Sequence, residues 1–136
     1  MFKLIALVHI ILNSHSIAPK ASCYNSNFED KVTCSGETYN GYQLTAASPY
    51  MEFNTYVKII NPNNDSCVIV KINDRGPYKV DSTGKHMDTP KYHFMLSDSA
   101  YNSLGGTGKE NIKIKYKLLE PNEVLEILEE NEYGNN

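Results

Sequence analysis

The sequence predicts a mainly β domain folded as a compact barrel, with one short helix and an acidic C-terminal tail. Three observations carry this. Residues 68–72 (Val, Ile, Val, Lys, Ile) form a β-branched run of the kind found in buried strands. Residues 111–118 alternate polar and apolar side chains in strict period two, the pattern of a strand with one solvated face. Helix start and stop signals bracket one short stretch in the middle of the chain. The strands are few and short, which favours a barrel over a sandwich.

The elements follow in order. Met1 and Lys3 precede an apolar run at residues 4–12 and a polar one at 13–16. That run is too short to span a bilayer but fits the apolar part of a secretory signal, so residues 1–21 are assigned as a signal segment. Two cleavage points compete. Ser16-Ile17-Ala18 is a small-x-small site. Ala21-Ser22-Cys23 resembles the end of a bacterial lipobox, which would leave a lipid on Cys23 as a membrane attachment, although Lys20 stands where such a box expects an apolar residue. Residues 22–33 read as a polar linker and 34–119 as the domain. Within it, 55–60 and 67–72 are strands joined by the turn formers of 61–66, a hairpin. Residues 76–93 are polar, with Pro77 and Pro90, and read as an extended surface loop.

Ser97 is an N-cap for a short helix, with Asp98 in its first turn and Gly105-Gly106 as its stop. The lysines of 111–118 suit an edge strand. Residues 120–136 are acidic. Val124, Leu125, Ile127 and Leu128 there have loosely helical spacing, which predicts a terminal helix docking on the domain.

Size and charge narrow the function. A chain of 136 residues makes one domain. Its formal net charge of −3, with lysines scattered or confined to one strand, argues against nucleic acid as a partner. Ten tyrosines and four phenylalanines are available to stack on flat ligands or sugar faces. The cysteines are an odd set, Cys23, Cys34 and Cys67. If Cys23 carries lipid or stays a free thiol, Cys34 and Cys67 are candidates for one disulfide, which would stabilise the fold by roughly 3–4 kcal/mol. No C-x-x-C pair is present, and the loop spacing of His86, Asp88 and His93 fixes no coordination geometry, so no metal is expected.

The 68–72 strand runs straight into Asn73, Asp74 and Arg75 and stops at Gly76-Pro77. Three polar side chains therefore leave the core where a rigid strand fixes their position, a common way of holding functional groups. The plainer reading is a turn capped by an Asp–Arg pair.

Ser35-Gly36-Glu37, Leu44-Thr45-Ala46-Ala47, residues 53–58 and the run from Val70 to Pro77 together resemble the RlpA-like domain. Leu96-Ser97, the helix and the 111–118 strand continue the resemblance in the same order, over residues 34–118. It implies a six-stranded double-psi β-barrel, the fold shared with expansins and barwin-type domains. It also implies an exported, monomeric lytic transglycosylase of the bacterial periplasm or outer membrane, working without metal or cofactor. Such enzymes cut the MurNAc–GlcNAc bond of peptidoglycan strands, preferring glycan stripped of stem peptides, and leave 1,6-anhydro ends. On this resemblance Asp74 holds the catalytic position and Glu37 a second acidic position. Arg75, Asn73, Ser48, Thr45, Tyr39 and Tyr78 are expected to bind substrate, with Tyr42 and Tyr50 close by.

The carboxylates suit the chemistry independently. Glycosidic cleavage passes through an oxocarbenium-like state and needs an acid on the leaving oxygen. When the sugar's own 6-hydroxyl attacks, one group can serve as acid and then as base. Two departures stand out: Ser48 occupies the place where active members carry histidine, and Met95 that of an aspartate. Two readings follow, a transglycosylase with Asp74 as acid/base assisted by Glu37, or a non-catalytic, expansin-like glycan-binding module.

Overall fold

The computed structural model describes residues 18–134, so most of the proposed signal segment lies outside them. In chain order the elements are β1 (Lys20–Cys23), a 3-10 turn (Ser26–Phe28), β2 (Thr45–Ala47), β3 (Tyr56–Ile60), β4 (Cys67–Asp74), β5 (Tyr78–Val80), β6 (His86–Pro90), β7 (Phe94–Leu96), α1 (Asp98–Ser103), β8 (Ile112–Lys113), β9 (Lys115–Leu118) and α2 (Pro121–Tyr133).

Seven strands form one sheet in the order β8-β1-β7-β2-β4-β3-β9. Its two ends belong to one stretch of chain. β8 pairs antiparallel with β1, and β9 pairs antiparallel with β3. Between them Ile114 is buried, and its N–H donates to the Pro19 carbonyl at 2.9 Å. Counting β8 and β9 as one strand interrupted at Ile114 turns seven strands into six and closes the sheet as a barrel. Two of its pairings, β1 with β7 and β2 with β4, are parallel. The mainly β, six-stranded barrel expected from sequence is therefore what forms.

β4 is the longest strand of the sheet and shows why. Val68, Val70 and Ile72 are buried, while Ile69 and Lys71 between them are partly exposed, the period-two burial of a strand with one face in the core. Against them pack Val57 and Ile59 of β3, Ala46 of β2, and Phe94 and Leu96 of β7. Truncating Ile72 to alanine in so closed a core would cost about 2–5 kcal/mol. The hairpin of β3 and β4 and the helix α1 also form as expected, with the Ser97 hydroxyl accepting from the Ala100 N–H at 3.3 Å.

Four expectations are corrected. The 111–118 strand is not an edge: it closes the barrel, and its lysines are simply its solvated face. The 22–33 segment is not all linker, and the fold begins before it. β1 starts at Lys20 and pairs with both β7 and β8; Ala21 is fully buried and Tyr24 belongs to the core. Boundaries at 21/22 and 33/34 would cut through that strand and detach it from the domain. The signal was weak because β1 has no β-branched residue and buries little more than an alanine. The 76–93 segment is no open loop but carries the hairpin of β5 and β6. Its turn is held by the Asp81 carboxylate, which accepts from the N–H groups of Thr83 at 2.8 Å and Lys85 at 3.0 Å.

The fourth correction concerns the disulfide: Cys34 and Cys67 are both free and exposed. Cys67 opens the eight-residue β4, and the Cys34 N–H bonds Asp74 at its other end. At about 3.3 Å per residue the two ends lie roughly 20 Å apart, far beyond the ~7 Å Cα separation a disulfide allows.

The acidic tail forms α2, a helix of 13 residues with none buried. Its start is tied by Glu123, which accepts from the Glu120 N–H and pairs with Lys117, both at 2.8 Å. Val124, Ile127 and Leu128 face Leu44, Tyr56 and Ile69 across a cleft. Among the described residues no helix is long and apolar enough to cross a membrane.

Candidate active site

Asp74 owes its position to a bulge. β2 and β4 run parallel with Ala46 opposite Ile72, but the register then shifts and Ala47 stands opposite Asp74. Asn73 is the extra residue. Simple alternation would send Asp74 to the same side as Ile72, into the core. The bulge re-aims it to the side of Ala47, which packs with Tyr24 and Tyr39 in a second, smaller cluster.

The carboxylate opens on a groove of about 780 Å³, lined among others by Cys34, Tyr78, His86, Lys91 and Tyr92. Three donors hold it. The Tyr24 hydroxyl donates to Oδ2 at 2.6 Å, and the N–H groups of Cys34 and Arg75 each donate to Oδ1 at 2.9 Å. Tyr24 is itself locked, stacked on Tyr39 at 4.3 Å and edge-on to Phe28 at 5.4 Å. Burial, and then the Asp74 carboxylate, push the Tyr24 phenol well above its ordinary range, so it stays protonated and remains a donor. The same two causes raise the Cys34 thiol.

Glu37 does not share this groove. Its carboxylate takes Lys71 Nζ at 2.8 Å and Asn73 Nδ2 at 3.1 Å, and it is absent from the groove lining. The Lys71 contact, followed by that of Asn73, holds the Glu37 carboxyl below its usual value. Together with the Ser35 N–H, which donates to the Asn73 carbonyl at 3.3 Å, these bonds pin the 34–37 loop that carries the Cys34 N–H to Asp74.

Most residues expected to touch substrate do other work. Thr45, Tyr39, Asn73 and Ser48 are buried. Ser48 caps a turn, its hydroxyl accepting from the N–H groups of Met51 at 3.1 Å and Tyr50 at 3.4 Å. Arg75 reaches back to that turn, donating to the Met51 carbonyl at 2.7 Å and lying 4.0 Å from the centre of the Phe53 ring. Tyr78 lines the groove, but its hydroxyl donates to the Pro49 carbonyl at 2.9 Å. Tyr42 and Tyr50 are exposed outside the groove lining.

Sequence reasoning missed the groove residues Cys34 and Tyr92, and also Tyr24, which holds the Asp74 carboxylate. Tyr24 lies in the segment read as linker, next to an unrecognised strand, Tyr92 lies in the segment read as loop, and Cys34 was read only as a disulfide candidate. Cys23 lines the groove and donates to Asp98 at 3.5 Å, and burial, then Asp98, push its thiol up to about 12. Cleavage before Cys23, as a lipid there requires, would remove Lys20, Ala21 and Ser22 from β1, and with them both pairs on β8 and the Ala21–Phe94 and Ser22–Met95 pairs on β7.

The sequence pattern of a protein family described as lytic transglycolase matches residues 17–116, a span that includes β1. An endolytic peptidoglycan transglycosylase RlpA of Helicobacter pylori (strain J99 / ATCC 700824) is 53% identical over 58 residues, 43% of this chain and 18% of that protein. The protein of that name from Pseudomonas aeruginosa (strain UCBPP-PA14) is 33% identical over 101 residues, 74% of this chain and 27% of its own length. The chain thus spans between 18% and 27% of these two curated relatives. With the matched span and the closed six-stranded sheet in agreement, the chain belongs to the lytic transglycolase family and has its double-psi β-barrel.

Proposed function

We propose that this chain is an exported lytic transglycosylase that cuts the MurNAc–GlcNAc bonds of peptidoglycan glycan strands, with Asp74 as its acid and base. The observation that carries the reading is that Asp74 is the sole carboxylate among the described residues lining the groove. A glycosidase that hydrolyses its substrate uses a pair of carboxylates, one to protonate the leaving oxygen and one to attack or to activate water. A transglycosylase needs no second one. The protonated Asp74 gives its proton to the glycosidic oxygen as the C–O bond breaks. The 6-hydroxyl of the same MurNAc then attacks its anomeric carbon and returns a proton to the Asp74 carboxylate, leaving a 1,6-anhydro end and a regenerated acid.

Glu37 enters this scheme as the anchor of the 34–37 loop, not as a second catalytic group. The names of the relatives support the reaction class, and peptidoglycan as substrate places the work at the cell envelope, in keeping with the apolar run at 4–12 as an export signal. A non-catalytic glycan-binding module is favoured by one observation: Ser48, where the family resemblance leads one to expect histidine, is fully buried and committed to its turn. Incubating the full chain with peptide-stripped peptidoglycan and reading the products by mass separates the two. Anhydro-ended fragments support the lyase; pelleting on sacculi without any such product supports the binding module.

A further inference from the structure

Next to the Asp74 groove lies a second pocket, of about 330 Å³, lined by Lys20, Tyr50, Pro90, Lys91, Tyr92 and His93. Lys91 and Tyr92 line both. The 91–92 segment is therefore a shared ridge, and a polymer lying in the groove can continue over it. The Tyr92 hydroxyl accepts from Asn111 Nδ2 at 2.8 Å, and Asn111 itself lines the groove, so this ring is fixed at the junction.

Tyr50 forms the far wall. Its side chain is 62% exposed, yet the turn beneath it is held from several sides. The Ser48 hydroxyl accepts from two of its N–H groups, Arg75 clamps the Met51 carbonyl, and the Tyr78 hydroxyl takes the Pro49 carbonyl. Arg75 directly follows Asp74, and Tyr78 lines the groove, so the elements that shape the groove also set the aromatic ring. An exposed tyrosine displayed so firmly costs little order on binding, and its ring face suits the apolar face of a pyranose. The charges in the pocket point the same way. Among the described residues lining it are Lys20 and Lys91 but no carboxylate, and neither lysine belongs to the two ion pairs found among the described residues.

We infer that the pocket between Tyr50 and Tyr92 is a distal subsite that stacks a sugar of the same strand and takes a carboxylate of it against Lys20 and Lys91. This rests on the glycan reading above. The chain would then grip a strand at two places, and affinity would grow with strand length.

The test is calorimetric binding of two peptide-stripped glycan probes, a tetrasaccharide and a long strand, to the full chain carrying Asp74→Asn so that nothing is cut. The expected result is tighter binding of the long strand. Adding Tyr50→Ala lowers that affinity by about two- to tenfold while leaving the tetrasaccharide unchanged. Tyr50→Trp restores the long-strand affinity, and unchanged circular dichroism shows the barrel intact. Reducing the carboxyls of the long strand weakens its binding, and Lys20→Gln narrows that difference.

A Tyr50→Ala variant that is folded and binds the long strand unaltered overturns the subsite. So does an equal loss on both probes, which would mean that Tyr50 acts through the groove. The two readings fail separately. Length-dependent binding abolished by Tyr50→Ala, with no anhydro product from the unmutated chain, sinks the lyase and keeps the subsite. Cleavage by the unmutated chain, with length dependence untouched by Tyr50→Ala, does the reverse.

Discussion

Tyr24 donates its phenolic proton to Asp74 Oδ2 across 2.6 Å, from a ring that is 2% exposed and stacked on Tyr39. A buried donor of fixed direction does for a carboxylate what solvent cannot: it leaves one orientation. The two backbone donors, from Cys34 and Arg75, complete the cradle on Oδ1.

Tyr24→Phe keeps the ring stack and removes the hydroxyl. It is expected to lower kcat by about ten- to a hundredfold with KM little changed, because the carboxylate loses its aim rather than the substrate its groove. The loss of a hydrogen bond to a charged acceptor should cost about 1.5–3 kcal/mol in urea unfolding. Alkaline stability offers a second readout. The Tyr24 phenol is raised above its ordinary 10.0 in the fold, so its contribution is complete below about pH 10 and is lost as pH rises toward the folded value. In Tyr24→Phe that loss above pH 10 should shrink.

Glu37→Gln separates an anchor from a catalyst. With its carboxyl held below the usual 4.5 by Lys71 and Asn73, Glu37 stabilises the fold above that pH and stops doing so as pH falls through the folded value. The side chain is 37% exposed, so solvent screening limits the difference at pH 7 to less than about 1 kcal/mol, and the two proteins should converge in acid. Cleavage by Glu37→Gln should stay within about threefold, whereas removal of a true general acid costs about 10²–10⁴. A loss of that larger size in a folded Glu37→Gln would return Glu37 to the chemistry.

Arg75→Lys tests the clamp on the 48–51 turn. A lysine cannot keep both the Met51 carbonyl bond at 2.7 Å and the stacking on Phe53 at 4.0 Å. A loss of about 1–3 kcal/mol by urea titration is expected. No change in midpoint would show that the clamp carries nothing.

The cysteines give a direct chemical count. Alkylation of the denatured, unreduced protein should add three equivalents, one for each free thiol. Cys67→Ser should leave stability within about 0.5 kcal/mol. A native disulfide would show one modified thiol and a far larger loss.

The barrel was legible wherever burial and periodicity coincide. Val68, Val70 and Ile72, the alternating 111–118 strand and the Ser97 cap each announce their element within a few residues. β1 did not, because its closest partners, Phe94 and Ile112, are far away in sequence and its own buried side chain is an alanine. The β5 and β6 hairpin was hidden for the opposite reason: its second strand is exposed throughout, so no apolar pattern marks it. In the site, the position of Asp74 was readable from the strand end but its direction was not, since the bulge at Asn73 is a property of pairing with β2. Residue type alone also gave no sign that Ser48, Thr45, Asn73 and Tyr39 are buried.

Asp74 is the one carboxylate among the described residues lining its groove, and the proposed lytic cut depends on it. The measurement closest to it is mass analysis of peptide-stripped glycan after incubation with the full chain and with Asp74→Asn. The expected result is 1,6-anhydro ends from the unmutated protein and none above background from Asp74→Asn, with both proteins pelleting equally on sacculi. Anhydro ends formed at an undiminished rate by Asp74→Asn would contradict it.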